Sequence, residues 1–213
     1  MILVLYCLLQ GQFSLFAAKL GNQVIAVEPF IDSVHRLAKA ALLENVQTKI
    51  TLFHNAISNK RGHFMLSQNE LNKGGLYLMT NDEMANNNNS NSVATILFDD
   101  LVDHLLASRE LNRMRKAILK IDIEGHELLA FEHSAKLFKC MNIQVALMEW
   151  SFMKTLTTAT EASSASDQSE KVNALIKRFM ANGMRPFSLN GLELPLDYWN
   201  LWPNNFYWKK LTE

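Results

Sequence analysis

Short, β-rich apolar runs alternate in this chain with segments whose apolar residues recur every three or four positions. That alternation limits the fold more than any other feature. Ile2–Cys7 reads as a buried strand, and after Gly11 the residues Phe13, Phe16, Ala17 and Leu20 fall at helical spacing, stopped by Gly21-Asn22. Val24–Val27 is a second strand, followed by a helical stripe through Ile31, Val34, Leu37, Ala38, Ala41 and Leu42 that Asn45 closes; Ile50–Phe53 is a third strand. Strands joined through helices by short links predict an α/β fold with a mostly parallel, doubly wound sheet. Sheets of that kind bind ligands outside the carboxyl ends of their strands. The residues at those ends therefore carry most of the information about function.

The middle of the chain departs from this rhythm and the last third returns to it. Lys60-Arg61-Gly62 and Lys73-Gly74-Gly75 mark turns, His63–Leu66 reads as an edge strand, and Asn86–Asn91 is an Asn-rich exposed loop. Val93–Ile96 is a short strand and Phe98–Leu106 an amphipathic helix. Ala117–Ile121 and Val145–Met148 are further strands, with Glu127–Phe138 as the helix between them. Thr155–Ser169, rich in Ser, Thr and Ala, reads as a mobile loop, and Val172, Leu175, Ile176, Phe179 and Met180 give another helical face before Gly183. The tail, with Trp199, Trp202, Phe206 and Trp208, closes the sheet as an antiparallel strand pair. No second domain and no internal repeat is visible, so residues 1–213 read as a single domain.

Composition narrows the classes of partner. Lys+Arg and Asp+Glu both number 21, so no charge excess points to nucleic acid or an anionic membrane. The two cysteines, Cys7 and Cys140, have neither Cys-x-x-Cys nor metal-ligand spacing, which favours a reducing, cytoplasmic setting and no disulfide framework or metal site. The apolar stretch Ile2–Leu9 is far below the ~20 residues of a transmembrane helix. Extended through Phe13–Ala18 it has the look of a signal-peptide core, but no Lys or Arg precedes it, and Gln10, Gly11, Gln12 and Ser14 interrupt it. A buried strand followed by a helix explains these residues better.

Three groups at strand ends carry chemistry. Glu28 ends the second strand, 17 residues after Gly11. A carboxylate about 20 residues beyond a glycine loop accepts hydrogen bonds from ribose hydroxyls in nucleoside-binding α/β folds, and an ionised carboxylate can take two hydroxyls at once. The plainer reading is a solvated turn residue before Pro29. Lys120-Ile121-Asp122-Ile123-Glu124-Gly125-His126-Glu127 gathers titratable side chains around a glycine turn. His126-Glu127 fails as a zinc-protease motif, because the place of the second histidine is held by Ala130. Acid–base work or metal binding by paired carboxylates competes here with a polar helix start, in which the helix dipole favours Glu127. Met148-Glu149-Trp150 ends another strand, and a Trp at such a place is more often core than site.

Taken in order, these pieces resemble the FkbM family of S-adenosylmethionine-dependent methyltransferases. Gly11–Gly21 resembles the segment after the family's first strand; Val27-Glu28-Pro29-Phe30, Asn55-Ala56-Ile57-Ser58 with Gly62, Leu119–Glu127 and Met148-Glu149-Trp150 follow in the family's order. The likeness is strongest over residues 11–150. It implies a class I methyltransferase, Rossmann-like sheet and methyl transfer from S-adenosyl-L-methionine, largely to hydroxyl oxygens of small molecules or glycans. It also implies roles. Glu28 would hold the ribose, with Asn55 and Ala56 flanking the adenine and Gly11 lying in the cofactor loop. Asp122 and Glu124 would sit where donor meets acceptor, and one of these carboxylates or His126 would take the hydroxyl proton.

The first loop departs from the family pattern Asp–x–Gly–Ala–Asn–x–Gly. Leu5 stands in place of the Asp, Cys7 in place of the first Gly, and Leu8-Leu9 in place of Ala-Asn; Gly11 alone survives. A Cβ at Cys7 opposes a positive φ, and Leu9 offers no hydrogen bond. This departure predicts weakened cofactor binding, and with the few residues before the strand it fits a truncated or alternatively started chain. It also leaves open a noncatalytic binding protein on the same fold. A secreted protein with a cleaved amino end, mature near Ala18, is a third reading.

Overall fold

The computed structural model describes residues 2–7, 11–68, 76–78, 91–107, 116–123, 125–151, 153 and 162–211. Its main sheet is built from the apolar runs. β1 (Ile2–Cys7) lies between β2 (Gln23–Val27) and β8 (Lys116–Ile121), parallel to both. β3 (Ile50–Phe53) pairs with β2, and β9 (Ile143–Glu149) with β8, again in parallel. β11 (Asn205–Lys210) runs antiparallel to β9, and β10 (Met184–Ser188) antiparallel to β11. The order is β10-β11-β9-β8-β1-β2-β3, a seven-stranded sheet among the described residues in which only β11 is reversed. The expected parallel strands and the antiparallel pair at the tail are all present.

Residues of β2 alternate between two cores, as strand geometry requires. Val24 and Ala26 face a smaller core with Ala18 of α1 (Gln12–Lys19) and Leu37 and Ala41 of α2 (Ile31–Leu43). Ile25 and Val27 face the larger core, shared with α3 (Phe98–Ala107), α4 (Glu127–Glu132), α5 (Ala135–Cys140) and α6 (Ala162–Ala181). Helices thus cover both faces, the doubly wound, Rossmann-like arrangement. Phe98, Phe131, Phe179 and Trp208 join α3, α4, α6 and β11 through successive ring contacts of 5.1, 5.1 and 4.5 Å.

Four expectations change. Glu127–Phe138 is two helices, broken at His133-Ser134, because Ser134 Oγ donates to Phe131 O at 2.7 Å and Arg178 of α6 donates to the carbonyls of Phe131 and Glu132. His63–Leu66 is not an edge strand. It belongs to β5 (Gly62–Gln68), flanked by β7 (Asn91–Ile96) and β6 (Leu76–Leu78) in a smaller sheet of order β4-β7-β5-β6, with β4 (Ala56–Ile57) beside β7. Of the expected loop Thr155–Ser169, residues from Ala162 onward are helical in α6, and 155–161 lie outside the described residues. Asn91 opens β7, while 86–90 and 73–75 lie outside the described residues.

Candidate functional site

The parallel strands bring the carboxyl ends of β2, β3, β8 and β9 to one edge of the sheet, and the residues singled out in sequence lie along it. Glu28 follows β2. Its amide donates to Phe53 O at 2.9 Å, so the ends of β2 and β3 are tied together. The side chain is 2% exposed, which excludes the solvated-turn reading. Oε1 accepts the Phe30 amide at 2.8 Å, whereas Oε2 is buried without a hydrogen-bond partner among the described residues. Burial raises this carboxyl from 4.5 to about 7, against smaller lowering effects of the Phe30 amide and the Arg36 charge. A buried acceptor with no donor is costly, and a pair of donors such as a ribose diol would relieve it.

Asn55 and Ala56 stand next to Glu28's turn. Asn55 Nδ2 donates to Ala94 O at 3.1 Å, tying the β3–β4 link to β7. Ala56 is buried with Phe30, Leu66 and Val93, so the turn after Glu28 and the start of the smaller sheet share one apolar cluster. His54 Nε2 lies 3.1 Å from Pro29 O and clamps the same junction. The structure therefore brings Glu28, Asn55 and Ala56 together.

Gly11 begins α1 with φ +61, and a Cβ there would come within 2.9 Å of Leu37 Cδ1. A left-handed backbone and the close approach of α2 account for this glycine by packing alone. Leu8-Leu9-Gln10, with the loop changes at Leu8 and Leu9, lie outside the described residues; Leu5 and Cys7 are placed by backbone within β1.

At the end of β8, Lys120 and Asp122 point to the same side, and Lys120 Nζ meets Asp122 Oδ2 at 2.8 Å with both side chains largely covered. Glu124 lies outside the described residues. Gly125, with φ +96, turns the chain sharply. His126, at the N-cap of α4, is half-buried rather than facing solvent; its Nδ1 has no partner among the described residues. Burial holds its pKa below the ordinary 6.5, which leaves a neutral imidazole with a lone pair available to a proton.

Two acidic residues matter more than the sequence indicated. Glu127 does start a helix, as the dipole argument had it, but it is 1% exposed and its Oε1 accepts the Ile123 amide at 3.1 Å. Burial raises it from 4.5 to about 7, with Glu149 and Asp122 adding to the rise and its own and the Ile123 amide opposing it. Glu149 ends β9 one strand away, where its Oε1 accepts Ser151 Oγ at 2.7 Å. The influence of Asp122 and Glu149 on Glu127, with Asp122 and Glu149 following the paired residues Ile121 and Met148, places the three carboxyl groups in one acidic neighbourhood at the ends of β8 and β9. Trp150 is core, fully buried, with Nε1 donating to Trp199 O at 2.9 Å. Ala130, which defeated the zinc motif, is also core. Among the described residues there is no group of His, Cys, Asp and Glu suited to a metal ion, and no helix is long and apolar enough to cross a membrane.

Comparison with known proteins gives the family. A family model described as the Methyltransferase FkbM domain matches residues 10–176, well over half of the chain. Among solved structures, the chain is similar to the methyltransferase FkbM from Methylobacillus flagellatus KT, at 13% identity and a TM-score of 0.44, over 70% of this chain and 32% of that one. It is also similar to a methyltransferase candidate from Streptococcus mutans in complex with SAH, at 10% identity and a TM-score of 0.42, over 99% of this chain and 89% of that one. The chain thus spans about a third of the length of the first of these. No curated protein matches it. By the match over residues 10–176, the chain belongs to the FkbM family of methyltransferases.

Proposed function

We propose that this chain binds S-adenosyl-L-methionine at the carboxyl ends of β1, β2, β3 and β8 and serves methyl transfer to a hydroxyl oxygen of a small molecule or glycan. The observation that carries the reading is Glu28, a buried carboxylate at the end of β2 with one oxygen tied to its own turn and the other unpartnered among the described residues. In this reading Glu28 accepts the ribose hydroxyls, and Asn55 and Ala56 flank the adenine beside Phe30. Bound there, the cofactor supplies an electrophilic methyl group. Asp122 and Glu124 orient donor and acceptor, which matters because in-line displacement is governed mainly by placement. His126 Nδ1 takes the proton as the acceptor oxygen becomes a nucleophile, and its burial keeps it neutral for that task. Two cysteines without disulfide or metal-ligand spacing support a reducing, cytoplasmic setting for the reaction.

The changed first loop, with Leu5, Cys7 and Leu9 where the family pattern has Asp, Gly and Asn, weakens cofactor binding in this account. It is also the feature that favours a second reading, a noncatalytic binding protein on the same fold. Variants of a chain restored by Leu5→Asp, Cys7→Gly and Leu9→Asn separate the two. There, Glu28→Ala lowers S-adenosylmethionine affinity by roughly tenfold to a hundredfold in calorimetry, as loss of charged hydrogen bonds requires, and Glu28→Asp by less. With a hydroxyl acceptor that the restored chain methylates, His126→Ala lowers kcat by about 10²-fold and leaves cofactor affinity unchanged. Full turnover by the His126 variant would pass the proton to Glu124, and an unchanged affinity in Glu28→Ala would return Glu28 to a turn residue. Cofactor binding with no turnover on any acceptor favours the binding protein.

A further inference from the structure

The turn between β8 and α4 carries Asp122 and His126, and it is held closed from beneath. Gly125 reverses the chain with φ +96, and the turn's own backbone bond, from the His126 amide to Ile123 O, is long at 3.3 Å. The second tie is shorter: the Ile123 amide donates to Glu127 Oε1 at 3.1 Å. Glu127 makes that bond while 1% exposed, at the first position of a six-residue helix where an acidic side chain ordinarily lies in water. Its neighbours make the place still less favourable. Asp122 and Glu149 are both close enough to oppose its ionisation. Such a group is tolerated when its hydrogen bonds fix a conformation that an apolar residue could not.

We propose that Glu127 is the positioning residue of this edge: by accepting the Ile123 amide proton from inside the core, its carboxyl group fixes the turn on which Asp122 and His126 stand. The chemical importance of that turn rests on the proposed methyl transfer; the tie itself does not. Loss of the tie leaves an amide at Ile123 with no acceptor and a turn closed only by the long bond to Ile123 O. Asp122 then keeps its ion pair with Lys120 but stands on a turn that is no longer fixed. A glutamine keeps an acceptor oxygen at the same reach and removes the charge, so it holds the turn.

Residue-resolved amide hydrogen exchange on the cofactor-free protein tests this. Glu127→Ala speeds exchange at Ile123 by roughly tenfold or more while the amides of Ala117–Ile121 in β8 keep their rates, and Glu127→Gln restores the protection. Unchanged protection of Ile123 in Glu127→Ala overturns the proposal. So does an equal loss of protection throughout β8 and β9, because that marks general loosening and not a held turn. Titration of S-adenosylmethionine into the same proteins separates this from the functional reading. Affinity kept by Glu127→Gln and lowered about tenfold in Glu127→Ala supports both. Absence of binding by the unaltered and loop-restored chains counts against the cofactor reading only, since exchange at Ile123 decides the role of Glu127 without any cofactor.

Discussion

Glu28 and Glu127 are two carboxyl groups withdrawn from water on the same edge of the sheet, each raised from 4.5 to about 7 chiefly by burial. In the unfolded chain both ionise near pH 4.5, whereas in the folded protein both hold their protons until about pH 7. Between those values the unfolded state binds fewer protons than the folded one, so stability falls as pH rises from about 4.5 to about 7. The loss is on the order of 3 kcal/mol for each group. Asp100 works in the other direction and elsewhere. Its hydrogen bond from Arg61 lowers its pKa, so its contribution is present above the ordinary value of 3.8 and disappears only under more acid conditions. His126, whose pKa burial lowers, opposes this trend below about pH 6.5, but it is one group against two carboxyls, so thermal melts show the unaltered chain less stable at pH 8 than at pH 5.5, and the double variant Glu28→Gln, Glu127→Gln losing much of that difference. A pH dependence that is the same in the variant would place the titration in other groups.

Whereas α1 and α2 end on backbone bonds of their own, α4 stops where a distant element takes its last hydrogen-bonding groups. Arg178 of α6 donates to Phe131 O, to Glu132 O at 3.2 Å and to Ser134 Oγ at 3.0 Å, so the carbonyls that end α4 are satisfied from a distant part of the chain. Arg178→Ala removes this donor from Glu132 O and leaves Phe131 O with Ser134 Oγ, and hydrogen bonds from a charged donor are worth about 1.5–3 kcal/mol each before compensation by water. The expected result is a melting temperature lower by several degrees, at roughly 2–4 °C per kcal/mol for a chain of this size. Arg178→Lys recovers part of it, because all three bonds leave one nitrogen, Nη1, and a single ammonium can serve the same acceptors as far as its shorter reach allows. A melting temperature unchanged in Arg178→Ala would mean that water caps α4 equally well. The same bonds explain why one helix was expected over Glu127–Phe138. The apolar spacing of Leu128, Phe131 and Phe138 continues across the break, and the residue that makes the break lies more than forty positions away. The start of α6 was hidden for a related reason. Its first turns are rich in Ser and Ala, with no apolar periodicity to read, and the helix declares itself only from Val172, where its face enters the core. Strands of the main sheet were legible because parallel strands buried on both faces are continuous apolar runs. β5 was legible as a strand but not as an interior one, since its pairing with β6 and β7 is nonlocal.

At the scale of the whole molecule, the sheet order sets what the residues can do together. β1 lies between β2 and β8, so Glu28 and Asp122, which follow those two strands, lie on either side of the carboxyl end of β1. The sequence order Glu28, Asn55, Asp122, Glu149 was readable as a family pattern, and the parallel order of the strands places those residues along one edge. The acidic neighbourhood of Asp122, Glu127 and Glu149 was not readable, because it arises from the register of β8 against β9 and from the burial of α4's first residue. The central claim is that this edge is an S-adenosylmethionine site whose first loop has been altered. The most direct measurement is calorimetric titration of S-adenosylmethionine into the chain as it stands and into its Leu5→Asp, Cys7→Gly, Leu9→Asn variant. Restoring two or three donor contacts at about 1 kcal/mol or more each predicts weak binding or none in the first and binding at least roughly tenfold tighter in the second. Micromolar binding by the unaltered chain, or no binding by the restored one, would contradict it.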